Sequence, residues 1–128
     1  MSEKEAALNA MRRVIDAVNS GENSAGVTGM SENVVIIDDV APFRSTGREE
    51  AEQWFRRLAN TRNRLHASVS LEAADVRLAG DKAYIVAPGV YKASLADADF
   101  EVKGLVTSTL VAQDGNWLVD SLVWGSGR

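Results

Sequence analysis

The chain has no cysteine, one histidine, two prolines and no apolar run near the roughly 20 residues that a membrane span needs. Without cysteine there can be no disulfides, thiolate nucleophiles or cysteine-based zinc sites, and an ordinary reducing cytoplasm is the compatible compartment. One histidine and scattered carboxylates lack the usual ligand set of a catalytic metal, so no metal is expected. No cofactor is expected either. The missing apolar run argues for a soluble protein with no membrane partner. Met1-Ser2-Glu3-Lys4-Glu5 is mixed in charge rather than basic and then apolar, which argues against a secretory signal. The formal net charge is −4, and binding nucleic acid starts with neutralising phosphates, so nucleic acid is not an expected partner.

The 128 residues suffice for one domain that buries about two-thirds of its unfolded surface. No repeat, linker or low-complexity segment divides residues 1–128. Leu8, Met11, Ile15 and Val18, with Ala7 and Val14 beside them, recur at intervals of three and four and predict a helix over about residues 3–20. Ser2 and Glu5 form a capping box and Gly21 a stop. Between Gly21 and Asn33, Gly26 and Gly29 each cost about 1 kcal/mol in a helix, so only a short or irregular helix is expected. Thr46 and Glu49 form a second capping box, ahead of a helix whose buried face is Ala51, Trp54, Phe55, Leu58 and Ala59.

After Arg64 the period becomes two, and residues 65–78, 82–96, 101–113 and 116–125 read as four long strands. Their short connections demand antiparallel neighbours. Pro88-Gly89 falls inside the second strand and predicts a bulge or sharp bend. Helices first and a meander of strands afterwards is an α+β order, with three N-terminal helices on one face of a curved, mostly antiparallel sheet. Several strands are apolar on both faces, as in Leu105, Val106, Leu110 and Val111. One face meets the helices, and the other is expected to meet a second subunit in a homodimer.

The segment from Val34 to Glu50 holds most of the functional information: a short aliphatic strand, the adjacent carboxylates Asp38 and Asp39, a proline-containing turn and a helix start. Partial desolvation at the end of such a strand can make an Asp a usable proton acceptor. Both residues also suit a turn, where Asp side chains bond nearby backbone amides; Asp39 is read that way and Asp38 in either way. Trp54 and Phe55 read first as core. Trp54, Trp124, Tyr91 and Phe43 could line the mouth of a cavity, where an indole N–H finds a polar partner. Arg56, Arg57, Arg62 and Arg64 could steer an anion, but a solvated helix terminus explains them more simply.

The order of elements, with Asn19-Ser20-Gly21 ending the first helix, Asp38 nine residues before Gly47-Arg48-Glu49, and Trp124 near the end of the last strand, resembles the nuclear transport factor 2-like superfamily. That superfamily includes SnoaL-like and ketosteroid-isomerase-like members. The resemblance covers essentially the whole chain and implies a cystatin-like cone with a deep apolar pocket. It places Asp38 where the isomerases carry their catalytic base. It places Val14 and Thr107 where they carry a Tyr and a protonated acid as oxyanion donors, so Thr107 is the weaker candidate donor left. His66 could relay a proton with Asp38, as in dehydratases of similar fold, or sit solvated at a strand edge. The expected function is binding of a small apolar molecule. The alternatives are acid–base catalysis on an apolar carbonyl compound (an isomerase, cyclase or dehydratase), with Asp38 as base and Thr107, Tyr91 or His66 as donor, and a dimeric scaffold with a vestigial pocket. Binding ranks first because a fold does not transfer chemistry and two catalytic donors are missing.

Overall fold

Ser2 Oγ accepts a 3.1 Å bond from the Glu5 N–H, and helix α1 runs from Glu3 to Ser20 before Gly21 closes it in the left-handed region. The computed structural model describes residues 1–127. The stripe Ala7, Ala10, Met11, Val14, Ile15 and Ala17 of α1 is buried, with Leu8 and Val18 packed at its edge. A six-residue α2 (Asn23–Thr28) follows. Its Gly26 is buried because the Phe55 ring fills the space a Cβ would take. Strand β1 (Met30–Ile37), the three-residue β2 (Arg44–Thr46) and α3 (Gly47–Leu65) come next. The cap of α3 differs from expectation. The Thr46 side chain makes no cap bond, and Glu50 rather than Glu49 accepts from the Thr46 N–H, at 3.0 Å. Thr46 is also the last residue of β2, paired with Val35, and that ladder fixes its extended backbone.

The remaining strands are β3 (Ser68–Leu71), β4 (Asp75–Ala79), β5 (Lys82–Leu95), β6 (Ala98–Gln113) and β7 (Asn116–Ser126). They join β1 and β2 in a seven-stranded, curved open sheet of order β2-β1-β7-β6-β5-β3, with β4 also paired to β5. Only the β1–β7 pair is parallel. Residues 65–78 therefore form two strands rather than one, and Pro88 supplies the reason. Its carbonyl accepts the Glu72 N–H at 2.8 Å, but proline has no N–H with which to return the bond of a regular antiparallel pair. Pairing on that edge of β5 lapses there. Beyond Pro88 it is β3 that pairs with β5, from Gly89 to Lys92, and before Pro88 it is β4.

The expected bulge at Pro88-Gly89 is absent: β5 and β6 stay in register from Lys82↔Val111 to Leu95↔Ala98. The register shift lies instead between β6 and β7. There Thr109 pairs Ser121 and Leu110 pairs Val119, which leaves Asp120 as the extra residue. The Ser31 hydroxyl bonds the Asp120 carboxylate at 2.5 Å. The core lies between the helices and the inner face of the sheet, where Met11, Phe55, Met30, Ile36, Ile85, Leu110 and Val119 are fully buried.

Several side chains join the two layers, among them Asn19, Arg48 and Trp54. Asn19, at the end of α1, donates to the Val69 carbonyl at 2.7 Å and accepts from the Val69 N–H at 2.8 Å, so its amide acts as a strand partner for β3. Removing both bonds leaves partly buried backbone groups without partners. Asn19→Ala is expected to destabilise the fold by about 1–3 kcal/mol. Urea unfolding checks this: the midpoint should fall with little change in slope.

Candidate functional site

A cavity of about 300 Å³ opens between α1, α3 and the end of the sheet where β5 meets β3. Ile15 and Val18 of α1, Trp54 and Leu58 of α3, and Val106, Leu122 and Trp124 of the sheet give it a largely apolar wall. Its polar groups are few: Asn19, Asp38, Asp39, Arg57, Thr61, Arg62, Ser68 and Tyr91.

Asp38 sits at the exit of β1, where three local bonds set the turn. The Asp38 N–H donates to the Phe43 carbonyl at 3.0 Å and the Phe43 N–H to the Val40 carbonyl at 2.8 Å. The Val40 N–H donates to Asp38 Oδ1 at 3.2 Å. This bond two residues ahead is the turn role expected of Asp39, and Asp38 fills it instead. The other carboxylate oxygen, Oδ2, accepts the indole N–H of Trp54 at 2.8 Å. Trp54 is buried on α3, so the carboxylate is held in a fixed orientation at the cavity wall. A hydrogen bond of this kind, to a charged group, contributes about 1.5–3 kcal/mol.

Tyr91 lines the same cavity from β5. Burial first, and the negative charge of Asp39 second, push its phenol above the ordinary value of 10.0. Both effects disfavour the phenolate, so at neutral pH the hydroxyl is a proton donor. No intramolecular hydrogen bond engages it among the described residues, which leaves the hydroxyl available to an occupant of the cavity.

The four-arginine cluster divides. Arg56 pairs with Glu52 at 2.6 Å on the exposed side. Arg57 donates to Ser45 Oγ at 3.3 Å. Arg62 donates to the Val18 carbonyl at 3.1 Å, and its guanidinium lies against Gly21. Arg62 thus complements the C-terminal end of α1, a different helix terminus from the one expected.

The structure brings together Asp38, Trp54, Tyr91 and Trp124 and leaves Phe43, His66 and Thr107 outside the lining. Phe43 is 57% exposed in the turn after β1, with φ 69°. His66 is exposed and caps α3 in the left-handed region; its neighbours Ala67 and Ser68 reach the cavity, but it does not. Thr107 is misplaced by alternation: Val106 and Ser108 are buried on the inner face of β6, so Thr107 between them points to the outer face. Val14, at the position of the absent tyrosine, is 1% exposed in the core. Asn19 and Arg62 were not anticipated as lining residues, although Asn19-Ser20-Gly21 was visible as a motif. Among the described residues, no group of three or more His, Cys, Asp or Glu could hold a metal ion. No described helix is long and apolar enough to cross a membrane.

This architecture is the cystatin-like fold of nuclear transport factor 2-like and ketosteroid-isomerase-like proteins. Three solved structures illustrate the likeness. The CaMKII hub of S. rosetta aligns with a TM-score of 0.86 at 18% identity, over 99% of this chain and 98% of that one. A nuclear transport factor 2-like protein with a cystatin-like fold from Novosphingobium aromaticivorans aligns at 0.82 and 14% identity, covering 95% and 80%. A ketosteroid isomerase-like protein from Erwinia carotovora aligns at 0.81 and 12% identity, covering 99% and 98%. At these identities the likeness establishes the fold. No family model matches the sequence, and no curated protein matches it.

The Tyr91 environment gives a direct spectroscopic test. The phenolate absorbance lost on Tyr91→Phe substitution should titrate with a midpoint above 10.0. Because the folded value is raised above the unfolded one, the stabilising effect of the neutral phenol is present below the unfolded value and lost as pH rises through the folded one. A midpoint at or below 10.0 would contradict the burial of the phenol.

Proposed function

We propose that this chain binds a small apolar molecule that carries a hydrogen-bond acceptor such as a carbonyl oxygen. The observation that carries this reading is the cavity of about 300 Å³, apolar along most of its wall and furnished with a free phenol and an oriented carboxylate. That volume lies at the small end of the range for ligand pockets. An occupant of this chemistry would bury its body against Ile15, Val18, Leu58 and Val106 and accept a bond from the Tyr91 hydroxyl.

A second use of the same site is supported by Asp38 in particular. Its carboxylate stands beside the apolar wall, held by Trp54, where it could take a proton from a bound carbonyl compound. Tyr91 is better placed than Thr107 or His66 to stabilise the oxygen of the resulting enolate. Thermal unfolding and turnover across a panel of apolar ketones and phenols separate the two uses. A ligand at 100 times its dissociation constant should add about 2.7 kcal/mol of stability. Asp38→Asn keeps an oxygen to accept from Trp54 and should leave the fold intact. If Asp38 is a base, the substitution abolishes turnover; if the protein only binds, no turnover is seen in either form. A panel that shifts no melting temperature at any concentration would count against both uses.

The outer face of the sheet supports assembly as a homodimer. Tyr84 is 47%, Val86 43% and Leu105 38% exposed. They alternate with buried neighbours on adjacent strands β5 and β6, with Thr107 opposite Val86 and Thr109 opposite Tyr84. Exposed apolar and hydroxyl side chains thus lie side by side at the centre of this face, flanked by Asp75 and Arg77 of β4, an arrangement of the kind that meets another protein. The likeness to a CaMKII hub adds support for assembly. Sedimentation should detect a dimer that dissociates on dilution and becomes monomeric in Leu105→Glu. A wild-type chain that stays monomeric at high concentration would remove this reading.

A further inference from the structure

The dipeptide Pro88-Gly89 leaves half of itself unexplained by the edge of the sheet. Gly89 pairs across the ladder with Gly104 of β6. Both glycines are buried on the inner face, and a single indole occupies the space above them. A Cβ on Gly104 would lie 2.8 Å from Cη2 and 2.9 Å from Cζ2 of Trp124, and would also collide with the Gly125 carbonyl oxygen. A Cβ on Gly89 would lie 3.2 Å from Cζ3 of the same ring. Trp124 stands on β7, beside Val106 of β6. Its side chain therefore reaches across β6 to β5 and rests its benzo ring on bare backbone. A Cβ at Gly89 would push the ring a few tenths of an ångström toward the cavity that Trp124 lines, and one at Gly104 would displace both the ring and the β7 backbone at Gly125.

We propose that Gly89 and Gly104 are specificity-determining residues: together they seat Trp124 against the strands, which keeps the cavity open and presents an aromatic wall selecting a planar ring compound over a puckered one of equal size. The inference rests on the ligand-binding reading of the cavity and adds the shape of the occupant. The ring lines the cavity and offers an apolar aromatic surface to whatever enters. An aromatic ring set against another in offset or edge-to-face contact gains about 0.5–1.5 kcal/mol beyond the area it buries. A saturated ring of the same carbon skeleton gains the area only.

The test compares 2-naphthol with trans-2-decalol, which share a ten-carbon bicycle and a hydroxyl but differ in planarity, by isothermal titration calorimetry at neutral pH. The naphthol is expected to bind about two- to twelvefold more tightly. That preference should disappear in Trp124→Leu and shrink in Gly89→Ala, the milder of the two glycine substitutions. The decalol should lose affinity in Gly89→Ala only to the extent that the displaced ring takes volume from the cavity. Equal binding of the two probes by the wild-type chain overturns the shape selection while leaving a ligand-binding cavity in place. Failure of both probes to bind overturns the ligand-binding reading with it. A preference that survives unchanged in Gly89→Ala and Trp124→Leu, with folding verified by circular dichroism, removes the glycine pair and the ring as its cause.

Discussion

The three long strands of this sheet, β5, β6 and β7, are longer than the helices that cover them, and the cavity follows from that mismatch. At about 1.5 Å per helical residue and 3.3 Å per strand residue, the 19 residues of α3 span roughly 28 Å and the 16 of β6 roughly 53 Å. The helical layer can close over one end of the inner face, and there Ala83, Ile85 and Leu110 are buried to 1% exposure or less. Further along the same strands Tyr91 and Val102 are only partly covered and line the cavity. A sheet of this length under helices of this length leaves an apolar surface with no intramolecular partner, and either solvent or a ligand must meet it.

What prevents the opening from collapsing is a set of bonds around its rim. Asn19 holds the end of α1 to β3 through two bonds. Arg62 ties α3 to the last turn of α1, and Trp54 ties α3 to the exit of β1 through Asp38. Each joins a helix to a different neighbour, and together they fix the distances between the elements that frame the cavity. These contacts are directional, whereas apolar packing alone would favour filling the space. The carboxylate and the asparagine amide thus serve the architecture whether or not they also meet a ligand.

Most of the fold was legible in the sequence because it rests on periodicity. The 3.6-residue stripe of α1, the buried face of α3 and the alternation from Lys82 onward all respond to burial, which side-chain hydrophobicity reports directly. The break between β3 and β4 was not legible, because it comes from a missing donor on a neighbouring strand rather than from residues 72–74 themselves. The site was legible in part. Asp38, Trp54, Tyr91 and Trp124 come together because strand ends and long helical side chains converge on the uncovered end of the sheet. Thr107 was assigned by analogy, and in a strand an error of one residue reverses the face. Arg62 and Asn19 act on backbone carbonyls that no pattern of side chains can mark.

Pro88 and Gly89 show how two adjacent residues in one strand can carry separate constraints. Successive strand residues face opposite sides, so a requirement at one need not disturb the other. Pro88 acts in the plane of the sheet: its missing N–H ends an edge pairing and divides the segment between α3 and β5 into two short strands, while the ladder to β6 continues past it unbroken. Gly89 acts perpendicular to that plane, where the absence of a Cβ, matched by Gly104 across the ladder, gives the Trp124 ring its seat. Each glycine weakens a strand by leaving nothing to pack and by costing more chain entropy to order. Two of them opposite one another in the longest ladder of the sheet would be a poor arrangement for stability alone. The Trp124 side chain that covers them recovers part of that loss through its own burial, and it does so in the position that forms a wall of the cavity.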